Sequence, residues 1–383
     1  MTRVKPQSAY SAYSAYSAYS AYSAYSAYSA YSAYGGLPVA PYVAPALITN
    51  RDGIVGAYAP PAQVPAPLPT DDPQNFKLWG AQVRESLLTY ELVSRIGFTM
   101  DGDTAQAWHL ETNGQTSGAA APTATYHPLM KMTRPSEDQF RDQLEYIDNY
   151  ADLRNDRWIE IEAQLDLPTA FFGSIAFLDP GRTPYTYQLV LAALHLAHFT
   201  EMQFKNALAC RRPVEFSPQM QAIIPTPQHG TLPSGHATEA HIVAMVLDHV
   251  LEASGNPVYA DVSWRAQFFR LAARIAVNRT VAGVHFPVDS AAGASLGMTL
   301  GAYFVARASA KPSMPPMTAS YTAWAFDGPA FSGDFRPETM FDLVTNRQTA
   351  TTGTSDLGVQ SINADQQSPT LNYVWEKAIA EWA

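Results

Sequence analysis

The sequence predicts an all-α fold, a helical bundle with a loop-rich C-terminal segment. Between Phe140 and Leu153, apolar residues recur at three- and four-residue intervals with charged residues between them, which is typical of an amphipathic helix. Later segments are apolar almost all the way round, as expected for helices at the centre of a bundle. They cover residues 184–209, 237–253, 264–283 and 288–308. Segments that alternate apolar and polar residues are nearly absent, so the pattern favours helices throughout.

Composition divides the chain into three parts. Residues 1–73 contain an unbroken Ser-Ala-Tyr repeat over Ser8–Tyr34 and then a proline-rich stretch. A period of three fits neither a helix nor a strand, so we expect a flexible arm with extended polyproline geometry after the repeat. Residues 74–310 are predicted to form the helical domain, interrupted by a loop over residues 113–122. Residues 311–383 are predicted to be a loop-rich wrap that packs on this domain and ends in a short helix.

Charge and cysteine content exclude several classes of protein. A net charge of −10 and a pI near 5.3 argue against a surface that coats nucleic acid or an anionic membrane. Cys210 is the only cysteine, which excludes an intrachain disulfide and a cysteine-based zinc cluster. No apolar run reaches the length of a membrane-spanning helix, and no Sec-type signal peptide is seen. We expect a soluble protein, cytoplasmic or exported by a non-Sec route, with its oligomeric state open.

Three polar clusters interrupt the apolar helices. They are Lys205 with Arg212; Ser234, Gly235 and His236; and Asn278 and Arg279 with His285 and Asp289. The second cluster stands at the start of a helix, where free backbone N–H groups and the positive end of the helix dipole attract anions. Each cluster alone fits a structural role, such as a charge at a helix end or a hydrogen-bonded core histidine. Their combination in this order favours a functional site.

The sequence here resembles a known superfamily. Its three motifs are similar to three segments of this sequence. The first is a lysine followed after six residues by Arg-Pro, and the second is Pro-Ser-Gly-His. The third is an arginine followed after five residues by a histidine and, after three more, by an aspartate. The superfamily joins type 2 phosphatidic acid phosphatases, soluble bacterial acid phosphatases and vanadium-dependent haloperoxidases. The resemblance implies that the chain folds as a helical bundle of the acid phosphatase and haloperoxidase type. Asn278 stands where a serine is usual, although its amide can still donate to an anion.

The resemblance implies a role for each site residue. An oxyanion would be held by Lys205, Arg212, Ser234, Gly235, Asn278 and Arg279, whose side chains or backbone N–H groups can donate to it. His285 would be the phosphorus nucleophile or the vanadium ligand, with Asp289 holding its other ring nitrogen. His236 would be the general acid and base.

Two enzymatic activities and one other class follow from this. We expect a haloperoxidase with vanadate as cofactor, which uses hydrogen peroxide to oxidise a halide, bromide being favoured. His229, seven residues before His236, also resembles a histidine of vanadium bromoperoxidases, and the long ordered stretch from Gln74 fits their size. The alternative is an acid phosphatase that cleaves phosphate monoesters through a phosphohistidine. A third class is a cofactor-free scaffold that acts by self-association of the Ser-Ala-Tyr arm, against which the complete set of motifs argues.

Overall fold

The computed structural model describes residues 43–113, 123–309, 319–342, 347–363 and 366–383. The Ser-Ala-Tyr repeat and most of the loop predicted over residues 113–122 lie outside these ranges. The chain divides into two compact units, residues 1–84 and residues 85–383.

The described part of the first unit is largely exposed. Helix α1 covers Val43–Ile54, where the sequence predicted extended polyproline geometry. Pro45 lies in the first turn of this helix, where a missing N–H costs no intrahelical hydrogen bond. A 3₁₀ helix covers Pro73–Leu78, and the Asp72 carboxylate caps it by accepting from the Gln74 N–H at 2.8 Å.

Helices supply most of the second unit. In chain order the further α-helices are α2 (Ala81–Val93), α3 (Glu137–Asp142), α4 (Leu144–Tyr150), α5 (Arg154–Ala163), α6 (Thr169–Ala176), α7 (Pro184–Leu208), α8 (Pro213–Phe216), α9 (Gly235–Ala253), α10 (Val262–Val281), α11 (Pro287–Ser309), α12 (Pro337–Met340) and α13 (Pro369–Ala380). The long helices predicted from apolar periodicity are confirmed as α7, α9, α10 and α11, and the predicted C-terminal helix is confirmed as α13. Within the described residues, no helix has both the length and the apolar character needed to cross a membrane.

Helix α9 is the centre of the bundle, because it packs against α7, α10 and α11. Its closest approach is to α11, along Gly293, Gly297 and Gly301. A Cβ atom on Gly297 would lie 2.4 Å from the backbone oxygen of Thr238, which is closer than packed atoms can approach. These glycines therefore set the distance between the two helices that begin at the motifs Pro-Ser-Gly-His and Arg-five-His-three-Asp.

The prediction of an all-α fold is wrong, because a five-stranded mixed sheet covers part of the bundle. The strands of the chain are β1 (Ile96–Asp101), β2 (Thr104–Asn113), β3 (Thr123–Thr133), β4 (Ala319–Asp327), β5 (Phe341–Asp342), β6 (Arg347–Gln348) and β7 (Thr354–Ile362). The large sheet has the order β1-β2-β3-β4-β7, and β5 and β6 form a separate pair. Strands β3 and β4 run parallel, with Met130 opposite Trp324, while the other pairs are antiparallel.

Strand β2 shows why the strands are hard to detect in the sequence. Its buried residues alternate as they should, but they are Ala105, Ala107, His109 and Glu111, which are small or polar. Nδ1 of the buried His109 imidazole lies 2.9 Å from the Tyr303 hydroxyl, within hydrogen-bond distance. The polar inward face removes the apolar alternation by which a half-buried strand is usually recognised.

The C-terminal segment is also more regular than predicted. Strands β4 and β7 pair within it, so part of the predicted loop-rich wrap belongs to the sheet. Strand β4 packs on α11, and α13 packs on α7 and α11. The described part of residues 311–383 therefore supports the bundle as strands and a helix.

Candidate active site

The chain turns sharply at the end of α7, and this turn positions the first two cations. Helix α7 ends at Leu208, close to the end of the segment predicted over residues 184–209, and Ala209 has a left-handed backbone with φ 49°. Arg212 then lies at the N-cap of α8, where its backbone N–H donates to the Glu215 carboxylate at 2.8 Å. Lys205 and Arg212 thus reach the same region from a helix and from a turn.

Lys205 is buried, and its ammonium group holds the loop before α9. The Nζ atom donates to the backbone oxygens of Gly230 at 3.4 Å and Thr231 at 3.3 Å, and makes a short contact with that of Pro233. Gly230 fits here because a Cβ atom would lie 2.7 Å from the Lys205 backbone oxygen. Burial is the largest cause that lowers the pKa of Lys205, to about 8.

Arg212 contacts His285 directly. Its Nη1 atom donates to His285 Nε2 at 3.0 Å and to the backbone oxygen of Val284 at 2.8 Å. A guanidinium group can only donate, so Nε2 of His285 must carry a lone pair rather than a proton. The same guanidinium reaches His229, with Nε 3.0 Å from its backbone oxygen and Nη2 3.1 Å from its Nδ1.

The other ring nitrogen of His285 is held by a carboxylate. His285 Nδ1 donates to Asp289 Oδ2 at 3.0 Å, and the same oxygen accepts from the Phe286 N–H at 2.9 Å and from the Thr231 hydroxyl. Thr231 Oγ1 also lies 3.2 Å from Nδ1. Buried donors therefore fix the carboxylate, which fixes the imidazole with Nδ1 protonated and Nε2 free to act. We call Arg212, Thr231, His285 and Asp289 the His285 network.

Ser234 and Gly235 form the start of α9. Ser234 is the N-cap residue, but its side chain makes no capping hydrogen bond, and within the described residues its buried hydroxyl has no partner. The first intrahelical bond runs from Thr238 N–H to Ser234 O, so the N–H groups before it have no acceptor inside the helix. The Ser234 N–H donates to the backbone oxygen of Asp289 at 2.9 Å, which ties this helix start to the His285 network.

The remaining predicted residues meet at Gln164, which the sequence analysis did not identify. The Gln164 Oε1 atom accepts from Asn278 Nδ2 at 3.0 Å and from Arg279 Nη2 at 2.9 Å. Its backbone oxygen lies 3.0 Å from His236 Nε2. A carbonyl only accepts, so Nε2 of His236 carries a proton, and Nδ1 is the atom that gains or loses one. We call Gln164, His236, Asn278 and Arg279 the Gln164 network.

Asn278 is held away from the role predicted for it. Its Nδ2 atom also donates to Glu160 Oε1 at 3.0 Å, and its Oδ1 atom accepts from Arg157 Nη1 at 3.0 Å. These bonds connect α10 to α5 and engage the amide that the sequence analysis assigned to the anion. Binding of an anion by Asn278 stays a prediction.

Burial and neighbouring cations keep the histidines neutral. Burial, followed by Arg212 and Lys205, holds the pKa of His285 well below its usual value. Burial, followed by Arg279, does the same for the pKa of His236. His229 is affected in the same way, with its pKa lowered to about 3. The pKa of Asp289 is raised to about 6 by burial, against the opposing hydrogen bonds that it accepts.

A cavity of about 490 Å³ opens beside this region and is lined by residues within 209–215 and 226–230. Arg212 and His229 form part of its wall, and Arg211 stands next to them. A ligand with an anionic group can therefore place that group near the His285 network while the rest of it occupies the cavity.

Comparison with known proteins finds a family match that includes most of these residues. Residues 186–312 match the model of the PAP2 superfamily and form a PAP2 superfamily domain. Lys205, the helix start at Ser234, and His285 with Asp289 all lie inside this PAP2 domain, and the long helices α7, α9, α10 and α11 supply its frame.

Curated relatives include a phosphatase of the same superfamily. The decaprenylphosphoryl-5-phosphoribose phosphatases of two Mycobacterium tuberculosis strains, CDC 1551 / Oshkosh and ATCC 25618 / H37Rv, are each 30% identical over 111 residues. The matched region is 29% of this chain and 55% of each relative. The chain thus spans about half the length of the curated relatives it matches.

Two functional residues escaped the sequence analysis for different reasons. Thr231 lies between His229 and the Pro-Ser-Gly-His motif. Its hydroxyl group, two residues before the motif, could have been identified from the sequence as a candidate site residue. Gln164 lies outside the PAP2 domain, just after α5, and nothing in its local sequence marks it. Its role follows only from the tertiary contact of α5 with α10.

Proposed function

We propose that the chain is a phosphatase that hydrolyses a phosphate monoester through a phosphohistidine at His285. One observation carries this proposal: Asp289 holds Nδ1 of His285 while Arg212 faces Nε2 at 3.0 Å. This arrangement presents a neutral imidazole whose reactive lone pair points at a cation able to bind a phosphoryl oxygen. The PAP2 domain and the phosphatase relatives support the same reaction class.

The reaction follows from the two networks. Arg212 turns its N–H from Nε2 to a phosphoryl oxygen, and the Ser234 hydroxyl and the first N–H groups of α9 donate to the same group. Nε2 attacks phosphorus, and the bond from phosphorus to the ester oxygen breaks as His236 gives that oxygen a proton. Water, deprotonated by His236, then attacks the phosphohistidine, and phosphate leaves as His285 returns to its neutral form. Asp289 stabilises the positive imidazole that forms in between.

We propose that the alcohol part of the ester lies in the cavity beside Arg212. Its walls carry Arg211, Arg212 and His229, and it is open to small organic groups. We therefore propose a phosphate monoester whose organic part is small enough to occupy this cavity of about 490 Å³.

The test is hydrolysis of p-nitrophenyl phosphate by the purified protein, with rapid alkaline quenching to trap a phosphohistidine. His285→Ala should abolish hydrolysis, and no phosphohistidine should be trapped in this variant. His249→Ala is the matched control, because this histidine lies on α9 but contacts Asp248 at 3.8 Å, outside both networks. Hydrolysis that persists in His285→Ala would contradict the proposal.

A second candidate is the vanadate-dependent haloperoxidase, and the position of His229 favours it. This imidazole lies in the wall of the cavity, 3.1 Å from Arg212 Nη2, where it can act on a small ligand entering the site. The residues present fit vanadate, because the buried Ser234 hydroxyl has no partner in the described chain and His285 Nε2 offers a lone pair. Arg212, Ser234 and His285 would hold the anion. Bound vanadate would supply the centre at which hydrogen peroxide oxidises a halide.

One experiment separates the two functions. Vanadate should inhibit ester hydrolysis, because it occupies the same donors, but it should create bromide oxidation in the presence of peroxide if the second function is real. His229→Ala should then reduce bromide oxidation more than ester hydrolysis. Vanadate-loaded protein without bromide oxidation would reject the haloperoxidase and leave the phosphatase.

A further inference from the structure

A second polar cluster lies between α7 and α9, apart from the residues given roles above. His198 and Glu201 are three residues apart on α7, and Glu239 faces them from α9. One ligand atom from each, an imidazole nitrogen and two carboxylate oxygens, lies within 4.8 Å of the others. Both carboxylates are buried, whereas His198 is partly exposed to solvent. An ion could therefore reach the cluster from the side of His198.

Glu201 is the unusual member of this cluster. Its side chain is 0% exposed, and within the described part of the chain neither carboxylate oxygen has a hydrogen-bond partner. A buried carboxylate without partners destabilises the folded protein unless it binds a proton or a cation, because burial removes the water that would stabilise its charge. The neighbouring carboxylate of Glu239 increases this cost, because like charges repel more strongly inside a protein.

The nearest cation does not meet this need by hydrogen bonding. Lys205 lies one helical turn after Glu201, but its Nζ atom donates to the backbone oxygens of Gly230, Thr231 and Pro233. An ammonium group has three N–H donors, and these three acceptors use them. Lys205 therefore reduces the repulsion between the carboxylates only through space.

We propose that His198, Glu201 and Glu239 bind one divalent transition-metal ion of the Zn²⁺ type. One imidazole and two carboxylates are a ligand set that Zn²⁺ accepts, at about 2.0–2.2 Å from each donor atom. Donor atoms around such an ion lie at most about 4.4 Å apart, so small rotations of the side chains close the present separation. Magnesium is a poorer fit, because it favours oxygen ligands and retains its waters.

The ion would also act on the anion site, although it would not touch the substrate. Glu201 lies one helical turn before Lys205 and Glu239 lies three residues after His236, so the ion would sit beside the helices that carry both residues. Its charge would offset the two carboxylates, which otherwise oppose anion binding nearby. The metal site does not depend on the proposed function, because binding of the ion requires only these three side chains.

The experiment is isothermal titration of chelator-treated, full-length protein with ZnCl₂ in phosphate-free buffer, repeated with MgCl₂. We expect one Zn²⁺ per chain and a higher melting temperature with Zn²⁺. Glu201→Gln and Glu239→Gln should each weaken Zn²⁺ binding by at least about tenfold, since losing a direct ligand costs no less than losing an outer contact. Glu85→Gln is the matched control, because this buried carboxylate lies 3.4 Å from the imidazole of His195 on α7 and is not one of the three proposed ligands.

Each result decides the proposal. Wild-type protein that binds no Zn²⁺ would overturn it, as would binding that both Gln variants retain. A melting temperature that rises in Glu201→Gln without any Zn²⁺ binding in wild type would show that the carboxylates share a proton instead. Loss of Zn²⁺ binding in both Gln variants but not in Glu85→Gln supports the site, whether or not the protein hydrolyses esters.

Discussion

The His285 network and the Gln164 network hold the two predicted catalytic histidines in different ways. His285 is fixed by a carboxylate, a hydroxyl and a guanidinium group that come from the PAP2 domain itself. His236 Nε2 donates to the backbone oxygen of Gln164, which lies outside that domain. A nucleophile must be aimed and charged correctly throughout the reaction, whereas a proton donor must only reach the leaving oxygen. The difference indicates that the His285 network tolerates less change.

Asp289→Asn should give the largest effect in this comparison. The amide cannot balance the positive charge that forms on His285, and it presents donors to Thr231 and Nδ1 if it is rotated. We expect kcat/KM for p-nitrophenyl phosphate to fall by about a thousandfold or more. A matching melting temperature would show that the fold is retained, and a loss below tenfold would mean that Asp289 does not act through His285.

His236→Ala should have the next largest effect. Loss of the proposed proton donor should lower kcat by roughly a hundredfold, while the affinity for phosphate, which we propose that Arg212 and Ser234 bind, should change little. Inhibition by inorganic phosphate measures this affinity directly. Esters with a better leaving group should be less sensitive to the substitution, and equal sensitivity for good and poor leaving groups would contradict the role of general acid.

The pH dependence of hydrolysis separates the networks by their protonation states. His285 must be neutral, and its lowered pKa keeps it so as the pH falls. His236 must be protonated, and because its pKa is also lowered, its protonated fraction increases only toward acidic pH. Lys205, with a pKa of about 8, loses its charge as the pH rises through that value. Turnover should therefore fall steadily from acidic to alkaline pH, by about tenfold per unit above the pKa of His236.

The pH profile has its own control. In His236→Ala the acidic part of the dependence should flatten, while the loss above about pH 8 should remain because Lys205 is unchanged. A wild-type rate that increases above pH 8 would be incompatible with the assigned protonation states.

Gln164→Ala should give the smallest effect. The substitution removes the side-chain acceptor of Asn278 and Arg279 but keeps the backbone oxygen that holds His236. We expect KM to rise by about tenfold through a misplaced Arg279, with a smaller change in kcat, since outer contacts typically matter at this scale. Thr231→Val, which removes one donor to Asp289, is the matched variant in the other network and should lower kcat rather than raise KM. If both variants changed the same constant, the two networks would not be functionally distinct.

Much of the helical part could be predicted from the sequence, because periodicity records which face of a helix is buried. Helices α7, α9, α10 and α11 are apolar nearly all round and lie where that pattern predicted them. The sheet could not be found in this way, since β2 buries alanine, histidine and glutamate. The sequence Asp101-Gly102-Asp103 could have indicated the β1–β2 turn, because two-residue hairpin loops favour glycine and aspartate. In the structure Gly102 has φ 54°, as such loops often require.

The structure brings the predicted site residues into two networks, but the contacts within these networks could not be predicted from the sequence. The motifs identified His285 and Asp289, whose spacing already implies proximity. Nothing local showed that Arg212 reaches His285 from a turn, or that the donors of Lys205 go to backbone oxygens. These features depend on how the loop before α9 packs against the end of α7, and sequence spacing does not encode that packing.

The parallel pairing of β3 with β4 sets the order in which this protein can fold. Met130 and Trp324 are neighbours in the sheet, yet about half of the chain lies between them. During synthesis, β1, β2 and β3 leave the ribosome long before β4. The edge of β3 that pairs with β4 therefore stays unpaired while the PAP2 domain is synthesised. Contacts between such distant residues form slowly, and an unpaired strand edge can recruit another chain. Newly made chains should therefore be most prone to aggregate in the interval before β4 leaves the ribosome.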